Sequence, residues 1–217
     1  MAGTVLYIGN KCFSSWSLRP WIALKAAGVV FEERLIRLRQ PDTAEKIRAV
    51  SPHGKVPLLI HEGVSVWESI AIIEYVADTF PEAGLWPDSR EAKAHCRSIA
   101  AEMHGGFVEV RKQWGMNLRR KPAHKPLEGD GIAQGARIEA IWAEARARFG
   151  AGGPYLFGRF SVADAMYAPV VTRFDRFGGE LSPVTRAYCD AVLSHPAMRQ
   201  WQREADAETW PEPDPNE

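Results

Sequence analysis

The chain has 217 residues, 46% hydrophobic and 25% charged, with 27 Lys and Arg against 27 Asp and Glu. That length fits one large or two small domains, and zero net charge supplies no global field to gather nucleic acid or an anionic membrane surface. No apolar run approaches the roughly 20 residues that a bilayer-spanning helix requires.

The densest basic stretch, Arg119 to Lys125, is broken by Pro122 and followed by Pro126, so it predicts a solvated loop between helices. The N-terminus has no basic region ahead of a long apolar core and reads as a first strand, which leads us to expect a cytoplasmic protein without a signal peptide. Cys12, Cys96 and Cys189 are odd in number and far apart. Their spacing predicts no disulfide framework and no metal site.

In chain order, residues 5–8 predict a strand. Residues 16–27 predict a helix, on the recurrence of Leu18, Trp21, Ile22 and Leu24, with Gly28 where a C-terminal cap glycine belongs. A second strand is expected over 31–36 and a short helix over 42–50. Residues 56–60 and 64–67 read as a hairpin turning at Glu62-Gly63, and 69–79 as a closing helix. The order βαβαββα makes residues 1–80 an α/β unit. Proline-rich residues 80–87 predict a stiff linker. Helical windows follow at 89–119, 130–149, 162–177, 184–194 and 197–207, so residues 88–210 predict an all-α domain. Residues 211–217 have too few apolar groups to pack and read as a tail.

Three features carry chemistry. Phe13-Ser-Ser-Trp-Ser-Leu-Arg19 spans the end of the first strand and the start of the first helix. Amides at a helix N-terminus are unpaired and partly positive, so they stabilise an anion, and a serine hydroxyl can donate to it as well. The competing reading is that Ser14 or Ser15 only caps the helix. Lys55-Val56-Pro57 precedes a strand and suggests a cis Val56-Pro57 bond that turns the Val56 backbone toward an extended ligand. Glu68-Ser69 opens the next helix, where it either caps the amides or leaves them for a ligand carboxylate. A fourth motif, Ser161-Val-Ala-Asp164, reads as a capping box with a role in stability.

The order and content of these features resemble the cytosolic glutathione transferases over roughly residues 4 to 207. The zeta class is the nearest likeness: Ser14-Ser-Trp-Ser-Leu-Arg19 with Ile22-Ala-Leu is similar to its S-S-C-S-x-R-x-x-I-A-L signature. Ser51-Pro-His-Gly-Lys-Val-Pro-Leu58 is similar to its N-P-x-x-Q-V-P stretch, and Ser161-Val-Ala-Asp164 with Pro169 and Arg176-Phe177 to its T-V-A-D segment. Trp16 stands where that class has Cys, and Lys55 where it has Gln.

The resemblance implies a thioredoxin-like first domain, a helical second domain, a homodimer, and glutathione as co-substrate with a small electrophile. It places the sulfur at Ser14, with Ser15 as the alternative donor and Ser17 behind them. Val56 and Pro57 then meet the cysteinyl backbone, Glu68 and Ser69 the γ-glutamyl end, and Lys55 the glycyl carboxylate. On their helical spacing with Phe107 and Val108, His104 and Arg111 are candidates for the second substrate, the alternative being a solvated His and Arg beside core apolar residues. Arg176 matches an arginine associated with a substrate carboxylate, with a surface ion pair as its alternative.

Three functions remain open at this point: conjugation to electrophiles, a zeta-like cis-trans isomerisation of the maleylacetoacetate type, and a non-catalytic binding module. A rival chemistry is thiol exchange through Cys12-Phe-Ser-Ser15, which has C-x-x-S spacing. Register places Ser14, and not Cys12, at the helix start.

Overall fold

The computed structural model describes residues 3–210, so the expected tail at 211–217 lies outside the described residues. The continuous apolar run of β1 (Thr4–Ile8) suits a central strand, because both faces of such a strand are covered. It pairs in parallel with β2 (Glu32–Leu35), Val5 opposite Glu32, and antiparallel with β3 (Leu58–His61), Tyr7 opposite Leu58. β4 (Val64–Trp67) completes the hairpin, giving the order β2-β1-β3-β4. Glu62 and Gly63 turn that hairpin with positive φ.

Helix α1 (Ser15–Ala26) buries nearly its whole circumference from Ser15 to Leu24. One side meets β1 and α3 (Ser69–Thr79), and the other meets α7 (Val162–Phe177) of the helical half. It ends as expected: Gly28 is left-handed, its amide reaches Lys25 C=O, and Val29 N–H reaches Leu24 C=O at 3.0 Å. A short α2 (Thr43–Val50) covers the other face with Ile47, which packs in a small cluster with Tyr7, Ile36 and Leu58.

The proline-rich connection is packed as well as stiff. It forms a 3₁₀ turn at Pro81–Ala83, Leu85 is buried with its C=O taking Val162 N–H, and Trp86 Nε1 donates to Asp78 at 2.8 Å. Beyond it lie α4 (Arg90–Gly105), α5 (Val108–Gln113), α6 (Asp130–Phe149), α7, α8 (Pro183–Ser194) and α9 (Pro196–Asp206). α7 is the axis of this half, buried from Val162 to Phe174 and in contact with α1, α4 and α8. Its capping box forms: Asp164 Oδ2 accepts Ser161 N–H at 2.9 Å, and Asp164 Oδ1 also accepts Leu156 N–H.

One expectation fails here. The window 89–119 is not a single helix. At Gly106 a Cβ would lie 2.7 Å from Glu102 C=O, and Phe107 is left-handed with φ 57°, so the chain turns between α4 and α5. The expected loop over 119–125 does lie between α5 and α6, with residues 121–125 exposed, and it is tied down at both ends. Ala123 and Lys125 donate their amides to Arg176 and Phe177 C=O, and buried Trp114, Met116 and Leu118 anchor the preceding stretch. Among the described residues no helix is long and apolar enough to cross a membrane.

Candidate active site

A cleft of about 580 Å³ opens where α1, the β3 entrance and α3 meet α4 and α5, within the range of small-molecule sites. Ser14, Ser15, Lys55, Val56, Pro57, Glu68, Ser69, His104 and Arg111 all line it. Residues expected from three separate stretches and from the helical half are therefore brought together.

At the α1 corner, Ser14 occupies the N-cap position but its side chain caps no amide. Its Oγ lies 2.7 Å from Ser17 Oγ, which also accepts Gly9 N–H at 3.0 Å. Ser14 Oγ–H donates in that bond, so Ser17 accepts twice; since each hydroxyl can both donate and accept, exchanging the roles of the two serines turns the Ser14 proton toward a ligand. Ser14 and Ser15 are both nearly buried, at 6% and 8% exposure, so a charge placed there meets little water to weaken the interaction.

The β3 entrance is shaped by Ser51, whose hydroxyl donates to Lys55 C=O at 2.7 Å. The Val56-Pro57 bond is cis. At the α3 corner, Glu68 sits at the N-cap with φ 66° and no capping bond, and the buried Ser69 Oγ has no partner among the described residues. Both helix starts thus face the cleft without a side-chain cap, although Ser15 N–H is taken by Phe13 C=O at 3.0 Å. Positive φ is costly for a residue with a Cβ, and here it holds the Glu68 carboxylate at the rim.

The far wall is cationic and aromatic. His104 Nε2 lies 3.6 Å from Glu68 Oε2, and its ring meets Trp16 edge-on at 5.4 Å. Burial, reinforced by Arg19, Arg111 and Lys55, pushes the His104 pKa down against the pull of Glu68. Trp16 lies between two guanidiniums, with Arg19 at 4.1 Å and Arg111 at 5.1 Å from its ring. Arg19 is fully buried and its Nε donates to Met166 C=O, yet Nη1 and Nη2 have no partner among the described residues. Burial, then the neighbouring Arg173 and Arg111, pushes its pKa well down. Glu68 is the one carboxylate among the lining residues, so the cleft favours an anionic guest.

The sequence offers Arg176 either for the second substrate or for a surface ion pair, and the structure places it outside the cleft. It leaves the last turn of α7 toward α9, in a separate groove with Met198, Arg199 and Gln202. There its Nη2 donates to Leu118 C=O at 3.3 Å and its Nε lies 3.8 Å from Asp175. Cys12 also lies outside the cleft. It is buried, donates Sγ–H to Asn117 Oδ1 at 3.2 Å, and burial raises its pKa, which is the opposite of an activated thiol.

Two contributors carry no assignment from the sequence: His53, which lines the cleft and stacks on Trp67 at 5.5 Å, and Arg19. Arg19 has a visible signal, a charge set among the apolar positions of the first helix, but its free nitrogens depend on the packing of α7.

The glutathione S-transferase N-terminal domain family matches residues 13–79, and its C-terminal domain family matches residues 99–203. The chain is 28% identical over 211 residues to the maleylacetoacetate isomerase of Pseudomonas aeruginosa, covering 90% of this chain and 93% of the relative. It is also 28% identical over 180 residues to a probable maleylacetoacetate isomerase of Caenorhabditis elegans, covering 82% of each. In fold it is similar to a glutathione transferase homologue from Burkholderia gl BGR1 solved with bound glutathione, with a TM-score of 0.69 at 24% identity over 95% of this chain and all of the other. With both domains matched in order and the fold shared end to end, the chain belongs to the glutathione S-transferase family.

Proposed function

We propose that the cleft binds glutathione, holds its sulfur as a thiolate at the start of α1, and presents it to a small electrophile. The observation that carries this reading is the N-terminus of α1, which has no side-chain cap, with the Ser14 hydroxyl beside it and bonded to Ser17, which also accepts Gly9 N–H. A free thiol has a pKa near 8.5, so only a few per cent is ionised at neutral pH. A hydroxyl donor and oriented amides favour the charged form, and about 1.4 kcal/mol of such preference makes the thiol tenfold more acidic. No base is needed, since the thiol proton goes to solvent as the thiolate forms.

In this reading Val56 and Pro57 meet the cysteinyl backbone, Lys55 the glycyl carboxylate, and Ser69 with the α3 amides the γ-glutamyl carboxylate. Glu68 faces the ammonium of that end, and Ser15 is the reserve donor. The thiolate attacks the electrophilic carbon. A carbon–sulfur bond forms and the leaving group departs with its electron pair, or, at an activated double bond, the carbon takes a proton from water.

A second reading is cis-trans isomerisation, in which the thiolate adds to a double bond, the resulting single bond rotates, and elimination restores the thiolate. It is supported by Arg111 at the cleft and by the unsatisfied donors of Arg19 behind Trp16, which suit an anionic substrate. Family likeness also supports a homodimer, which light scattering tests, and a cytoplasmic setting whose reducing conditions suit three buried free cysteines.

The test of the reading is ultraviolet titration of glutathione bound to the protein, compared with free glutathione. The thiolate is expected at lower pH in the complex, and a thiol that titrates as in free glutathione removes the mechanism. Turnover of a haloaromatic against a maleyl substrate then separates transferase from isomerase.

A further inference from the structure

The loop between β1 and α1 carries Ser14 into the cleft, and the Lys11-Cys12 dipeptide ahead of it is held in large part by the other end of the chain. Lys11 N–H donates to Glu208 Oε1 at 2.6 Å, and Cys12 N–H donates to Oε2 of the same carboxylate at 3.1 Å, across 197 positions in the first pair. The two carbonyls of this dipeptide are taken as well: Trp201 Nε1 donates to Lys11 C=O at 2.9 Å, and Leu118 N–H to Cys12 C=O at 3.2 Å. The buried Lys11 ammonium pairs with Glu33 at 2.7 Å and with Glu204. Glu208 is fixed in turn, its N–H donating to Ala205 C=O and its C=O accepting Arg119 Nη1 at 2.7 Å.

Adjacent amides gripped by one carboxylate make a two-point clamp, because both bonds are charge-assisted and share one rigid group. The next turn of chain starts at once: Phe13 and Ser14 donate their amides to Asn10 C=O, and Ser14 is followed by α1. Rotation of the Lys11-Cys12 peptide therefore moves the Ser14 hydroxyl relative to the α1 amides. The sulfur site needs these two to converge on one point, and an error of about 1 Å in such a constellation is costly.

Resting on the glutathione reading above, we propose that Glu208 is a positioning residue for the thiolate corner: its carboxylate, delivered from the turn after α9, sets the loop that aims Ser14. Its role differs from a direct charge effect in sign. A carboxylate acting through its charge disfavours a nearby thiolate, so removing it lowers the thiol pKa. A carboxylate acting through the loop has the reverse effect, and its removal raises the thiol pKa.

The experiment titrates the thiol of glutathione bound to wild type, Glu208→Ala and Glu208→Gln, with unfolding midpoints and glutathione KM measured in parallel. Gln keeps the shape but turns an amide NH₂ toward one of the two N–H donors. The clamp is expected to show as a rise in thiol pKa of about 0.5 or more in both variants, which is about a threefold loss of kcat/KM below the pKa. The KM for glutathione is expected to stay within about twofold, since the residues assigned to its two ends lie on other elements. Glu208→Asp, with the charge kept on a shorter stem, gives a smaller rise and serves if the other two fail to fold. A thiol pKa that is unchanged or lower in the variants overturns the clamp, even if their midpoints fall. A wild type that never lowers the thiol pKa overturns the glutathione reading along with it.

Discussion

Replacing Ser14 by Ala tests the centre of the proposed chemistry. A hydrogen bond to a charged acceptor contributes about 1.5–3 kcal/mol. With about 1.4 kcal/mol for each tenfold change in acidity, that raises the pKa of the bound thiol by about 1–2. The structure selects the lower end: the Ser15 hydroxyl lines the same corner, and the α1 amides remain uncapped in the variant. A rise of about 1 is therefore expected, with kcat/KM falling about tenfold at any pH well below both pKa values. Stability should change by no more than about 1 kcal/mol, because the hydroxyl caps no helical amide and Ser17 keeps its Gly9 N–H donor. The assay is ultraviolet titration of the bound thiolate beside a pH profile of kcat/KM, with the unfolding midpoint as control. If the bound sulfur of a folded Ser14→Ala titrates where wild type does, Ser14 is not its donor and the reasoning fails.

Glu68→Gly should leave stability within about 1 kcal/mol, since relief at φ 66° offsets the extra chain entropy of glycine. Glutathione binding, measured by calorimetry, should weaken about tenfold with the loss of the carboxylate; unchanged affinity would place the γ-glutamyl end elsewhere. Cys12→Ala should keep activity within about twofold while costing about 1 kcal/mol of stability, and the native thiol should resist aromatic disulfide reagents. Loss of activity in that variant, with its fold intact, would revive thiol exchange. Arg176→Ala should leave turnover of both substrate types unaffected, whereas Arg111→Ala should impair turnover of the anionic one. Burial lowers the pKa of His53, His104 and His195, so below the ordinary histidine value of 6.5 the unfolded chain binds protons that the folded one refuses. Stability should fall as pH drops through that value and level off below the folded pKa values. A thermal midpoint that instead rises on acidification through this range, or that keeps its full pH dependence in His104→Gln, contradicts the assignment.

Much of this protein is legible in its sequence because local rules act within a few residues. The strand over 5–8 and the helices over 130–149 and 162–177 follow from apolar periodicity. Gly28, Ser161 and Asp164 occupy caps whose chemistry is set by their immediate neighbours. Ser14, Val56 and Ser69 can be proposed for the site because each stands at a helix or strand entrance, where backbone groups go unpaired.

Only the tertiary structure could decide what depends on distant chain. The break at Gly106 looks helical in periodicity and is imposed by the backbone turn between α4 and α5. Arg176 shares its helix with Arg173, but the packing of α9 takes it into another groove, while Arg111 and Arg19 meet around Trp16. Whether Cys12 is reactive or inert rests on its burial and on Asn117, which reaches it from a distant stretch of chain. Sequence fixes which atoms are available, but charge and burial act through space, and the distances that set them exist only once both ends of the chain have met.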